Sequence, residues 1–205
     1  MDAPPDADPR AAVDARVLAR RDAGDLDGAT ALVLEAYGGE LLAFLHAIAR
    51  DAATADDAWS VLAAAIWRSL GGFAGRSSLR TWLYVLARRA HLRVLRRARV
   101  DEVPLSQASA VGRLAAELQR SSLPHLARVR ERMADLRAQL EPDDQTILIL
   151  RVDRELSWRE VAEVLADDGD GDDLDRLAAT VRKRFERIKA QIRALATAAG
   201  LVEPR

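Results

Sequence analysis

The 205-residue chain contains no cysteine, which excludes disulfides and thiolate-bound metals. Aromatic residues make up only 4% of it, and the β-branched or aromatic runs that strands prefer are scarce. No uninterrupted apolar run approaches the roughly 20 residues that span a bilayer, so membrane insertion is not expected. The first ten residues are rich in Asp and Pro, the wrong chemistry for a signal peptide, and a soluble cytoplasmic protein is the expectation. A charge excess is also missing, since the formal net charge is −1. One local absence matters more. Between Arg76 and Arg99 there is no acidic residue, while arginine occupies positions 76, 80, 88, 89, 93, 96, 97 and 99. Clustered rather than net charge is what attracts phosphates.

What is present in quantity is Ala, Leu and Arg, among the best helix formers. The spacing predicts an all-α protein of two small helical domains, a three- or four-helix bundle and a helix-turn-helix, joined by a flexible linker. Residues 1–24 have little apolar periodicity and read as a disordered leader. In the first domain, 25–99, the first helix carries Tyr37, Leu41, Phe44, Leu45 and Ile48 on one stripe, with a bend expected at Gly38-Gly39. A second helix, about 55–70, turns Ala58, Leu62, Ala65 and Ile66 inward and ends at Gly71-Gly72. The third begins near Ser78 and buries Leu79, Leu83, Leu86, Ala90 and Val94. Residues 100–125, punctuated by Pro, Ser and Gly, read as the linker, with a brief helix through Val111, Leu114 and Leu118.

The second domain, 126–200, has sharper signals. Pro142 suits the first turn of a helix carrying Ile147, Leu148 and Leu150. Ser157-Trp158-Arg159-Glu160 is a capping box opening a short helix with Val161, Ala162 and Leu165. The last helix repeats Leu174, Leu177, Val181, Phe185, Ile188, Ile192 and Leu195. Together these describe a helix-turn-helix.

On the third helix Arg89, Arg93, Arg96 and Arg97 share one face, and such a like-charged stack is relieved by a polyanion. Trp82 reads equally well as a core residue or as a platform for an unstacked base. In the last helix Thr180, Arg182, Lys183 and Arg184 would enter a major groove, with Arg187 nearby. The acidic stretch Asp167 to Asp175 begins like a calcium loop, but Asp173 stands where Gly is needed and Ala179 where Glu is needed. It reads as a turn whose Asp173 or Asp175 caps the last helix. No metal site or cofactor is expected. Nor is enzymatic activity, because His46, His91 and His125 are scattered without partners at motif spacing.

The run Gly75-Arg76-Ser77-Ser78-Leu79-Arg80-Thr81-Trp82-Leu83 resembles the extracytoplasmic-function (ECF) sigma factors of bacterial RNA polymerase, in the sigma-70 family. The resemblance implies that Arg76, Ser77, Ser78, Arg80, Trp82, Arg88, Arg89, Arg93, Arg96 and Arg97 contact the promoter −10 element. It implies −35 contacts by Ser157, Thr180, Arg182, Lys183, Arg184 and Arg187. Asp57, Ser60, Val61, Trp67 and Arg68 fall where the family grips the clamp helices of the largest polymerase subunit. Ser60 and Val61 depart from the family's Gln-Glu, Arg89 from its Asn and Arg93 from its Asp. The acidic turn is longer than usual, and is expected either to repel phosphates or to pair with Arg89, Arg93 and Arg97 in a DNA-free form. Core polymerase, promoter DNA and an anti-sigma protein are the implied partners. A stand-alone helix-turn-helix regulator and a helical adaptor are the alternatives.

Overall fold

The structure, a computed structural model, describes residues 9–49, 51–96, 111–118, 139–166 and 173–198. Among these every regular element is helical: α1 (Pro9–Asp22), α2 (Leu26–Ile48), α3 (Ala52–Ser69), α4 (Leu79–Leu95), α5 (111–118), α6 (Pro142–Leu148), α7 (Trp158–Leu165) and α8 (Leu174–Ala198). A 3₁₀ turn, Leu70–Gly72, closes α3, and a π turn, Ile149–Asp153, extends α6. The all-α expectation holds.

Local chemistry sets the helix starts. Asp25, Asp51 and Ser78 each accept from the backbone N–H three residues on, at 2.9, 2.8 and 3.0 Å, and so cap α2, α3 and α4. The capping box of α7 is complete: Ser157 Oγ accepts from Glu160 N at 3.3 Å, and Ser157 N donates to the Glu160 carboxylate at 2.8 Å. Asp173 accepts from Arg176 N at 3.1 Å at the head of α8, whereas Asp175 pairs with Arg159. Glu155, at φ +57°, turns the chain out of the π segment in the left-handed conformation that commonly ends helices.

Three expectations are corrected. The segment read as a leader through residue 24 contains α1, whose Val17 is fully buried and whose Asp14 accepts from the Tyr37 hydroxyl at 2.6 Å. Helix α2 runs unbroken through Gly38-Gly39; Gly38 is a notch, because a Cβ there would lie 2.6 Å from Leu118 Cδ1. Part of the 100–125 segment is docked: Trp59 Nε1 donates to Ala115 O at 3.0 Å, and Val111 and Ala115 are buried. With 23 residues α2 is also long and apolar enough to cross a bilayer, which a search for uninterrupted apolar runs misses. Here 56% of that stretch is buried inside the fold, against α1, α3 and α4.

The core is built on Phe44, Trp59, Leu62, Ile66, Leu83 and Tyr84, with the Phe44 and Tyr84 rings edge to face at 5.0 Å. It continues through Leu140, Ile147, Leu150 and Leu156 to Val161, Val181 and Ile188, so α2–α4 and α6–α8 share one apolar cluster. The contact between α4 and α7 is the principal seam between the two halves.

Candidate nucleic-acid interface

Helix α4 and the loop before it present the arginine run. Phe73 to Ser78 leaves the 3₁₀ turn without regular structure, with Gly75 at φ +67°, a value L side chains rarely adopt. Arg76 and Ser78 are exposed and Ser77 half-buried. Trp82 is half-buried, its ring 5.1 Å from that of Phe73. One part of the indole therefore packs, and the rest reaches solvent. Along α4 Arg89 and Arg96 are exposed and Arg93 half-buried. Arg97 lies outside the described residues.

Arg80 and Arg88 do not join that exposed face. Arg80 donates through Nε to Glu40 Oε1 at 2.9 Å and through Nη2 to Glu40 and, at 3.0 Å, to Arg154 O. Tyr84 donates its hydroxyl to the same Glu40 oxygen at 2.6 Å. Burial alone would raise the Glu40 pKa, yet the bonds from Arg80 and Tyr84 hold it below the usual carboxylate range. Burial and the Glu40 charge push the Tyr84 phenol up. Arg88 is buried, its Nη2 3.2 Å from Asp143 Oδ1, and the guanidinium faces α6. Buried behind it, His91 is driven down to about 4 by desolvation and by Arg88.

The seam with the helix-turn-helix half is polar at its edge. Thr81 donates from Oγ1 to Glu160 Oε1 at 2.9 Å, so the carboxylate that closes the capping box also holds α4. Although burial works against its charge, Ser157 and Thr81 keep the Glu160 carboxyl below its ordinary value.

Residues 33–100 match sigma-70 region 2. The match spans about one third of the chain, from within α2 through α4, and supports a sigma-70 family factor. No curated protein and no solved structure matches the chain.

Within the matched residues, Asp57, Ser60, Val61, Trp67 and Arg68 follow the helical period along α3, and all but Val61 are exposed. Trp67, 40% exposed, donates from Nε1 to Asp27 Oδ1 at 2.7 Å, which fixes the indole on the surface. Ser60 turns its hydroxyl back onto Asp56 O at 3.1 Å, and half-buried Val61 packs on the core. Ser60 and Val61 thus present little polar chemistry.

In the second half, Thr180, Arg182, Lys183 and Arg187 lie exposed on α8, and Ser157 is exposed at the cap of α7. Arg184 is the exception. It is half-buried and pairs through Nε with Asp144, with Nη1 3.9 Å from Asp143 Oδ2, so it braces α8 on α6 instead of facing a groove. Of the acidic stretch, residues 167–172 lie outside the described residues. The sequence reading missed Glu40, Asp143 and Asp144, the carboxylates that hold Arg80, Arg88 and Arg184. Their only sequence signal is being an acid, because each partner lies 40 or 55 residues away.

Proposed function

We propose that the chain is a non-catalytic, cytoplasmic sigma factor of the ECF type that binds core RNA polymerase and directs it to a two-part promoter. The observation that carries this reading is the region 2 match over residues 33–100, which holds the exposed loop with Arg76, Ser77 and Ser78 and the cations on α4. The exposed stripe on α3 would meet the polymerase. Arg76, Trp82, Arg89, Arg93 and Arg96, with Arg97, would meet the −10 element, the loop and indole taking unstacked bases and the arginines phosphates. Exposed Thr180, Arg182, Lys183 and Arg187 on α8 would read the −35 element from the major groove. An anti-sigma protein covering these faces is part of the same reading.

Asp143 lies beside both Arg88 of α4 and Arg184 of α8, and Thr81 is bonded to Glu160 of α7. We read this as the DNA-free form, in which the two halves must part before both promoter elements are engaged. Run-off transcription from genomic fragments with core polymerase tests the proposal: discrete new start sites that depend on the chain support it, and none on any fragment overturns it.

The back-bonded Ser60 and core-packed Val61 favour a second reading, a stand-alone helix-turn-helix regulator. It predicts duplex binding with no polymerase capture.

A further inference from the structure

Helix α1 precedes the region 2 match, yet it reaches the loop on which the proposed −10 contacts depend. Arg21, near its C-terminus, donates from Nη1 to the carbonyl oxygen of Phe73 at 2.8 Å, across 52 residues. The guanidinium is aimed from behind: Nε donates to Asp22 Oδ1 at 2.8 Å, and Nη2 stands 2.6 Å from the same oxygen. Only 18% of the Arg21 side chain is exposed, and the bond is part-buried. Phe73 is the first residue after the 3₁₀ turn. Its N–H donates to Leu70 O at 3.1 Å, its side chain is buried, and its ring packs on Trp82. Beyond it the chain runs without regular structure until Ser78 caps α4. Phe73 is thus the upstream anchor of the 74–78 loop and the packing partner of Trp82, and Arg21 is the side chain that holds its carbonyl.

We infer that Arg21 is a positioning residue for single-strand capture: by holding the Phe73 carbonyl it sets both the Gly75–Ser78 loop and the Trp82 indole in the geometry that receives unstacked bases. The inference rests on the proposed −10 role of that loop. A preorganised loop avoids the ordering cost at the moment of binding, and a charge-assisted hydrogen bond at its hinge is an economical way to preorganise it.

The test uses the full chain and two fluorescent probes, a random-sequence single-stranded DNA 20-mer and its duplex, with amide hydrogen exchange across 74–78. Arg21→Ala should speed exchange in the loop and weaken single-strand binding by about tenfold while leaving duplex binding little changed. Arg16→Ala, which removes an exposed charge from the same helix, should do neither. Arg21→Lys keeps one donor and should fall between. If Arg21→Ala does not fold, Asp22→Asn, which only loosens the guanidinium, should still speed exchange and weaken single-strand binding to a smaller degree. Arg21→Ala indistinguishable from Arg16→Ala would overturn the inference, and so would equal losses on single strand and duplex, the mark of a merely structural role. Absence of single-strand binding by the unaltered chain would instead bring down the −10 reading itself, and this inference with it.

Discussion

The hydroxyl of Thr81 lies 2.9 Å from the carboxylate of Glu160, joining the helix that carries the arginine run to the first helix of the helix-turn-helix. Glu160 answers also to the backbone N–H of Ser157, so one side chain caps α7 and fastens it to α4. With Arg88 on Asp143 and Arg80 on Arg154 O, the seam holds the two elements proposed to bind DNA against each other.

Loosening that seam should raise affinity for duplex DNA. Asp143→Asn removes the carboxylate beside Arg88 and Arg184, leaving two cations with weaker intramolecular partners. We expect several-fold tighter duplex binding and a log–log salt slope steeper by about one to two, since each phosphate newly neutralised adds about 0.9. Stability should fall by about 1 kcal/mol, because the pairs are only partly buried. Salt titrations by fluorescence anisotropy read both; unchanged or weaker binding contradicts the closed-form reading.

Glu40 carries a larger share of stability. Replacing it with Ala leaves Arg80 and the Tyr84 hydroxyl without their shared acceptor in a half-buried site. Chemical denaturation should show a loss of about 2–4 kcal/mol. A loss below about 0.5 kcal/mol, the range of ordinary surface substitutions, would show that the network is solvated rather than structural.

Adjacent glycines in α2 should respond in opposite ways. Nothing lies within 4 Å of a Cβ at Gly39, so Gly39→Ala should stabilise by about 0.5–1 kcal/mol through helix propensity. At Gly38 the same change drives a methyl to 2.6 Å from Leu118 Cδ1, so the propensity gain should be cancelled or reversed. Adding Leu118→Ala should restore it. Equal thermal shifts at the two glycines would mean that α5 is not seated in the Gly38 notch.

His91 makes stability fall with acid. Its folded pKa, about 4, lies below the ordinary 6.5, so between those values the unfolded chain binds a proton that the folded chain does not. Stability due to this group is therefore whole above pH 6.5 and is lost as pH falls toward 4, at a cost of up to about 3 kcal/mol. His91→Phe should flatten the melting-temperature profile in that window, and an unaltered slope would assign it to other groups.

The legible parts of the fold are those that local spacing encodes. The capping box of α7 needs only Ser157 and Glu160 three residues apart, and the buried Leu79, Leu83 and Ala90 need only the helical period, although Leu86 and Val94 of the same expected stripe are half-buried and Ala87 is buried instead. Helix α1 escaped notice because its apolar positions are few, Val13, Val17 and Leu18, and its stability comes from Tyr37 and from packing on α2. The arginine run was legible as charge but not as function. Whether Arg80 and Arg88 face solvent is decided by Glu40 and Asp143, which only the fold brings near. Gly38-Gly39 misled for a related reason: a small residue can signal a bend or a close approach, and Leu118, 80 positions on, makes it the latter.

The measurement that bears most directly on the account is the affinity of the full chain for purified bacterial core RNA polymerase, with Trp67→Ala as the paired variant. Trp67 is exposed on α3 and held by Asp27, so its removal should weaken capture without unfolding the bundle. Stable capture by the unaltered chain is expected, with about a tenfold or greater loss on Trp67→Ala, the size typical of an aromatic interface anchor. No capture of polymerase by the unaltered chain, with duplex DNA still bound, would contradict the sigma-factor reading and leave the stand-alone regulator in its place.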